Sequence, residues 1–467
     1  MPNLTRKILA PKVGIVHLGL GAFFRAHGAI YVAEAMAVSG GNWGITAASL
    51  QRPATRNALK PQGFCYTALE AGPDGDRAQI IEVVGAVLVA PEDPQALIDA
   101  MTDPAVKIVS LTVTEKGYCH HPATGALNCS HPDIIHDLQN PLPRSAPGFL
   151  VRALLARRKL GLKPFTVLSC DNLPDNGAVV RGVVLEFARR LDPALAGWIA
   201  AEGRFPATMV DRIVPATRPE DLDRVALLTG FHDAGPVIHE PFRQWVIEDD
   251  FVGGARPDFG AVGVHMVADV APYELMKLRM LNGSHSALAY LGFLAGHETI
   301  SDTIADPVFA GFAQHLWREE IIPVLAAPPG ADLPAYASAL LKRYRNPAIR
   351  HRCWQIAMDG SQKLPQRILG TLAAAKTPCP GLNLALAGWM VYVGGVDFSG
   401  LPIDVRDPLA AELRARANAA DPVAALLELR AVFSAEIAQR IAAPVAAAFA
   451  GLRALGARGA VAEILAG

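Results

Sequence analysis

The apolar run Val13–Leu18 is followed at once by Gly19-Leu20-Gly21, and then by AFFRAHGAIYVAEAMA, whose apolar residues recur with helical spacing. Short apolar run, glycine turn and helix form a unit that commits a chain to a parallel sheet, because a parallel strand pair needs a crossover and a helix is the usual one. The pattern continues downstream. Further strands are expected at 43–50, 79–84, 107–113 and 165–169, with helices over 93–101, 148–160 and 176–190. This alternation predicts an α/β fold whose sheet is parallel and doubly wound. After residue 271 helical spacing takes over, at 273–294, 307–325, 335–343, 382–393 and 408–465. An α/β domain is therefore expected over 1–271, and a mainly helical domain over 272–467. A chain of 467 residues is long enough for two cores.

Charge and cysteine usage narrow the function. The formal net charge is −1, so neither a nucleic-acid groove nor an anionic membrane is expected as partner. Arg157-Arg158-Lys159 ends an expected helix, where positive charge suits the helix dipole. The six cysteines are scattered without a CxxC pair and read as free thiols. The opening MPNLTRKILAPKVG has no leader-like apolar region, and arginines interrupt the alanine-rich C-terminal stretch. A cytoplasmic protein is the expectation. Cys119-His120-His121 has no second cluster at metal spacing, so no metal is expected.

Gly19 and Gly21 supply two glycines of a GxGxxG turn, and the third position holds Phe24. After a strand and before a helix, two such glycines let a pyrophosphate approach the helix start. An ordinary strand–helix turn has the same composition. The acid expected to hold a ribose after the second strand is missing, for that strand ends Ala48-Ser49-Leu50-Gln51-Arg52. Arg52 suits the 2′-phosphate of NADP, whereas Ser49 or Gln51 suits the 2′-hydroxyl of NAD.

Residues 273–292, YELMKLRMLNGSHSALAYLG, read as one apolar helix carrying Glu274, Lys277, Asn282 and His285. At about 100° per residue, Asn282 lies about 140°, His285 about 80° and Glu274 about 60° around from Lys277. A lysine buried beside a histidine is expected to lose proton affinity, which suits a general acid/base near neutral pH. A solvated polar stripe is the alternative. The loops SCDNLPDNG (169–177) and SLTVTEKGYC (110–119) each follow an expected strand, on the carboxyl side where ligands of such sheets bind. Asn172 is placed to donate to a developing alkoxide together with Asn282, although Asn172 and Asn176 also suit helix capping. Lys363 and Arg367 in DGSQKLPQR, and the stretch EPFRQWVIEDDF, add further polar groups.

Together these motifs resemble the polyol-specific long-chain dehydrogenase/reductase family, which includes mannitol 2-dehydrogenases, arabinitol dehydrogenases and fructuronate reductases. The resemblance runs from GLGAFFRAH through TVTEKGY, SCDN, MVDRI, EPFRQWVIED and KLRMLNGSH to DGSQK, roughly residues 13 to 400. It implies a Rossmann-type N-terminal domain, a helical C-terminal domain and metal-independent hydride transfer with NAD, NADP being possible. By resemblance, Lys277 is the acid/base, Asn172 and Asn282 hold the oxyanion, and His285 orients the substrate. Glu115 and Glu274 line a proton path, and Asp211 and Lys363 lie in the substrate pocket. Gly19, Gly21, Ala22, Phe23, Ser49, Arg52 and Thr112 fall on the cofactor side. Many relatives are monomers, and a small sugar acid or polyol is the expected partner. Ala22 stands where family members often carry asparagine, and Phe24 where histidine is usual.

Within that family, mannitol dehydrogenases tend to read TEGGY, where this chain has Glu115-Lys116-Gly117-Tyr118 after Thr114. They also tend to carry arginine at the position of Gln355. The stretch HRCWQIAMDGSQKLPQR is similar to the fructuronate reductase (D-mannonate oxidoreductase) branch. A hexuronate brings a carboxylate that Lys116, Arg352 or Arg367 is suited to answer. The alternatives are a neutral polyol or ketose and, more remotely, a sensor that binds nucleotide or sugar without chemistry.

Overall fold

The structure is a computed structural model and describes residues 1–121 and 124–467. The chain divides into two compact units, Met1–Ala271 and Pro272–Gly467.

The first unit is built on a five-stranded parallel sheet. Its strands are β1 (Val13–Leu18), β2 (Gly44–Ser49), β5 (Val84–Val89), β6 (Ile108–Leu111) and β7 (Thr166–Ser169), in the order β5-β2-β1-β6-β7. β1 lies at the centre and is buried along nearly its whole length, as a parallel strand covered on both faces must be. The order reverses between β1 and β6, and a crevice opens at such a switch point beyond the strand ends.

Helix starts are written locally. Asp93, Asp192, Asp306 and Asp421 each accept a backbone N–H of the following helix, and each precedes a proline in the first turn. The carboxylate satisfies an orphan donor, and the proline gives up an N–H that had no partner anyway.

The strand expected at 79–84 is two elements. Residues 79–81 end β4 (Gly75–Ile81), which pairs antiparallel with β3 (Tyr66–Gly72), and Val84 opens β5. The turn between β3 and β4 is Gly72-Pro73-Asp74-Gly75, a composition that closes tight hairpins. The remaining strands, β8 (Thr208–Asp211), β9 (Val237–His239), β10 (Gln244–Glu248) and β11 (His265–Val267), complete two small sheets, β4-β3-β9 and β11-β10-β8.

The helix after the glycine turn is also interrupted. Ala22–Ala26 and Gly28–Ser39 are separated at His27, whose backbone leaves helical geometry. The His27 ring is buried edge-on to Trp245 and Tyr31, and its Nε2 meets the Gln244 carbonyl oxygen at 3.0 Å.

The second unit is helical. Ser284–Leu294 and Pro380–Val393 are buried on almost every side and pack on each other, forming its centre. The C-terminal region is three helices, Ala410–Ala417, Pro422–Leu427 and Ala435–Ala466. The last is long and apolar enough to cross a membrane by length and composition. It packs Ile437, Ile441, Val445, Leu452 and Val461 into the helical core and kinks at Gly456. All six cysteines are free.

Burial in the first unit has a pH consequence. Burial lowers the pKa of His17, His27 and His239 to about 3 each. Unfolded, each titrates near 6.5, so between those values the unfolded chain binds protons that the folded chain refuses. Their stabilising effect is complete above about pH 6.5 and is lost as pH falls toward 3, at up to about 1.4 kcal/mol per pH unit for each histidine. Thermal melting between about pH 7 and 4 should show a falling midpoint, and His17→Gln should flatten that dependence. An equally steep profile in the variant would remove His17 from the account.

Candidate active site

Because β1, β2, β6 and β7 run parallel, the turns after them share the carboxyl edge of the sheet. That edge carries Gly19 and Gly21, then Ser49 and Arg52, then Thr112, Glu115 and Lys116, and last Asn172. Backbone bonds stitch the row together. Gly19 N–H donates to Ala48, Thr112 N–H to Leu18 and Cys170 N–H to Leu111.

Gly19 and Gly21 do different jobs. Gly19 has φ +93°, and a Cβ there would lie 2.1 Å from the Thr112 carbonyl oxygen. It lets β1 close onto the end of β6. Thr112 Oγ1 donates to the Gly19 carbonyl (2.6 Å), and the buried His17 ring links Ser110 Oγ and Thr112 Oγ1, at 2.9 Å each. Gly21 is exposed, and a Cβ there would meet nothing nearer than the Gly19 carbonyl at 3.9 Å. Packing within the protein therefore does not require that Gly21 be glycine, and the space above the turn is open. The residues therefore fit a dinucleotide phosphate at this turn.

Phe24, in place of the third glycine, stacks on His17 with ring centroids 3.3 Å apart, and Gly28 makes room for it. Ala22 and Phe23 are half-buried at the start of the short helix, and Phe23 stacks on His27. The Ser49 hydroxyl donates to the Arg52 carbonyl (2.6 Å), so its proton serves its own turn, while the Arg52 side chain is exposed.

The loop after β6 is held by its neighbour. Asp171 accepts the N–H groups of Val113 (2.9 Å) and Thr114 (3.0 Å) and the hydroxyl of Tyr118 (2.7 Å). Thr114, at φ +64°, opens the single turn Thr114–Gly117 that exposes Glu115 and Lys116. Asn172 is exposed in the adjacent loop. Asn176 does not cap its helix. Its amide group donates to the carbonyls of Asp171 (3.0 Å) and Thr208 (2.9 Å), and its oxygen accepts Thr208 N–H, tying the helix to β8. Asp211 is buried as the last residue of β8.

In the second unit, residues 271–294 are not one regular helix. Ala271–Met276 is α-helical, Lys277–Gly283 is a π-turn, and Ser284–Leu294 is α-helical again. The angles expected from 100° per residue therefore fail between Lys277 and Asn282. In an α-helix five residues overshoot one turn by about 140°. The wider π-turn shortens that overshoot and brings Asn282 round toward Lys277. Lys277 and His285 are buried, and Glu274 and Asn282 are half-buried.

His285 stacks on Tyr344 with centroids 5.1 Å apart and stands edge-on to His351 at 4.8 Å. Burial first, then the charges of His351, Arg367, Arg343 and Lys363, push its pKa far down, so the ring is neutral. His351 falls to about 4 for the same first reason. Lys363 is lowered to about 8 by burial and by Arg367, and its Nζ donates to the Met358 carbonyl at 2.6 Å. Arg367 donates to Ser286 Oγ at 3.1 Å. Three cations thus surround a neutral imidazole. Among the described residues no carboxylate pairs with Arg367, and no three His, Cys, Asp or Glu side chains converge on one point.

Two models match the chain, a mannitol dehydrogenase Rossmann domain over residues 13–259 and a mannitol dehydrogenase C-terminal domain over 269–452. The chain belongs to the mannitol dehydrogenase family. D-mannonate oxidoreductase of Escherichia coli (strain K12) is 48% identical over 463 residues, 96% of this chain and 95% of that protein. Mannitol 2-dehydrogenase of Aspergillus fumigatus is 42% identical over 442 residues, 92% and 88% of the two chains. The Pseudomonas fluorescens mannitol 2-dehydrogenase, solved as a ternary complex with NAD and D-mannitol, superposes with a TM-score of 0.87 at 37% identity, covering 98% and 95%. The family makes this chain an oxidoreductase acting on secondary alcohols.

Several family motifs prove to be scaffold. In RAH, Arg25 Nη1 donates to the Gly235 carbonyl (2.6 Å) and His27 is core. In MVDRI, Arg212 reaches the carbonyls of Ala26, Glu240 and Phe242. In EPFRQWVIED, Glu240 accepts Ile213 N–H, and Arg243 pairs with Glu34 at 2.6 Å. Sequence reasoning overlooked Asp171, His351 and Arg343. Asp171 was legible only as a neighbour of Asn172, and His351 carries no motif spacing.

The two glycines are separable by experiment. Gly19→Ala should lower the thermal midpoint, since the positive φ alone costs about 1–2 kcal/mol and the clash adds to it. Gly21→Ala should leave the midpoint nearly unchanged while weakening dinucleotide binding by about tenfold or more. Unchanged dinucleotide affinity in Gly21→Ala would refute the ligand reading of that turn.

Proposed function

We propose that this protein is a nicotinamide-dependent dehydrogenase that interconverts the C–OH and C=O of a six-carbon sugar-acid pair, D-mannonate and D-fructuronate. The nicotinamide, when bound, supplies or accepts the hydride. NAD is the favoured form, on the likeness to the Pseudomonas fluorescens enzyme.

In this reading Lys277 moves the alcohol proton at its Nζ, which buried surroundings keep away from bulk water. Asn172 and Asn282 donate hydrogen bonds to the oxygen that gains charge. His285, held neutral, has an Nε2 with no partner among the described residues and is available to a substrate hydroxyl. Glu115 and Glu274 pass the proton on. Gly19, Gly21, Ala22, Phe23, Arg52 and Thr112 lie on the cofactor side, and Asp211 and Lys363 on the substrate side.

The observation that carries the choice of a sugar acid is Arg367. Its guanidinium has five N–H donors and, among the described residues, makes one hydrogen bond, to Ser286 Oγ, beside a cationic cluster that holds His285 neutral. A guanidinium so placed fits a carboxylate. The D-mannonate oxidoreductase relative supports the same reading. Lys116 is the other candidate partner for the carboxylate, exposed on its turn after β6. Arg352 lies 3.3 Å from Glu298 and is already paired.

Two measurements test this. Lys277→Ala should keep dinucleotide affinity and lose turnover by ~10²–10⁴. Near wild-type turnover at the pH optimum would remove Lys277 from the chemistry. A charge-assisted contact to the carboxylate is worth roughly 1.5–3 kcal/mol, or ~10–150-fold. Arg367→Gln should therefore cut kcat/KM for D-fructuronate by that factor while changing D-fructose far less. If Lys116→Gln shifts the ratio instead, Lys116 is the partner. If the wild type prefers D-fructose or D-mannitol, the neutral polyol reading replaces this one.

A further inference from the structure

We propose that Asp171 is a positioning residue for the reaction, holding the Thr112–Tyr118 loop and Asn172 in one fixed arrangement at the carboxyl edge of the sheet. The inference rests on Asn172 acting as an oxyanion donor.

The geometry is specific. β6 and β7 are adjacent parallel strands, and their loops leave the same edge. Asp171 spans the two loops with both carboxylate oxygens. One takes Val113 N–H and the Tyr118 hydroxyl, and the other takes Thr114 N–H. The two amides open the turn Thr114–Gly117, whose first residue sits at φ +64° and whose N-terminus has no side-chain cap of its own. The turn that presents Glu115 and Lys116 is therefore held from the neighbouring strand. Tyr118 is buried, and its hydroxyl also meets Ser169 Oγ at 2.6 Å, which fixes the far end of the loop to β7.

Asn172 is the next residue along the chain. Behind it, the Asp171 carbonyl accepts from Asn176 Nδ2, and Asn176 is bonded in turn to Thr208 of β8. The peptide that leads into Asn172 is thus pinned through its side chain on one side and its carbonyl on the other. Among the described residues the carboxylate's hydrogen-bond partners are uncharged donors, and burial raises its pKa despite them. A carboxylate without a cation is an expensive way to cap one helical turn. Its yield is a fixed relation between two loops that carry polar groups to the site.

Asparagine at 171 has one acceptor oxygen where carboxylate has two, and it turns an N–H toward donors. The test uses the full chain with NADH and D-fructuronate or D-fructose, whichever the wild type reduces. Asp171→Asn should lower kcat by ~10–100-fold, leave NADH affinity within about threefold by fluorescence titration, and speed hydrogen exchange at Val113 and Thr114. In a cycle with Asn172→Ala the losses should be far from multiplicative, because both changes remove the same donor from its place.

A kcat within about twofold of wild type while exchange at Val113 and Thr114 accelerates would overturn the proposal, as would fully multiplicative losses. Should Asp171→Asn fail to fold, Tyr118→Phe removes one donor and leaves the carboxylate; it should lower kcat by about three- to tenfold with the same coupling to Asn172. An unchanged kcat in Tyr118→Phe then counts against the proposal. Failure of the underlying reading shows separately, as wild-type turnover in Asn172→Ala and Lys277→Ala.

Discussion

The closeness of β1 to the end of β6 is the constraint on which the rest of the first unit depends. Gly19 has no side chain because the Thr112 carbonyl stands where one would be, and its backbone takes a positive φ that few other residues adopt cheaply. With that approach secured, Thr112 bonds back to Gly19, His17 fills the space beneath, and Phe24 closes over the imidazole. The loops after β1 and β6 then flank the switch point of the sheet, with Gly21 left bare above it. A network of neutral, buried hydrogen bonds does this without an ion pair. The arrangement is therefore insensitive to salt but sensitive to acid, since His17 must stay unprotonated.

The helical unit solves a different problem, the burial of several cations near one another. Lys363 and Arg367 are answered by carbonyl and hydroxyl oxygens, and the cost is shown in their lowered pKa values. His285 is the group that yields, remaining neutral among them. The π-turn from Lys277 to Gly283 belongs to the same economy of space. Gly283 sits where a Cβ would come within 2.8 Å of the Arg367 carbonyl, so the wide turn and the DGSQKLPQR segment pack directly on each other. Wide turns of this kind are rare in helices and recur at functional sites.

Motif residues divide by what they touch. Arg25, His27, Arg212 and Arg243 are spent on carbonyls, rings and the carboxylates of Glu34 and Glu70 inside the first unit. They are as much a signature of the family as Lys277 or Asn282, yet they build the frame. Spacing in the sequence could not separate the two groups, because a buried arginine bonded to four carbonyls and an arginine bonded to the Ser286 hydroxyl look alike in one dimension. Only the list of partners distinguishes Arg212 from Arg367.

What the sequence by itself determined is the part governed by local periodicity and by turns. The strand–glycine–helix opening, the alternation that makes the sheet parallel, the change to helix after it, and the family were all legible in short windows. The pattern failed where neighbours in space overrule neighbours in sequence. The run at 79–84 was divided because a hairpin and a parallel strand compete for it, and the Gly72–Gly75 turn that decides the matter lies upstream. The helix carrying Lys277 and Asn282 widened into a π-turn, which no count of 100° steps reveals. Asn176 went to β8 in place of its own helix end, and Asp171 became the clasp between two loops. Apart from that hairpin, which is local, the deciding contacts join segments far apart in the chain, and their free energy exists only once the tertiary fold has brought them together.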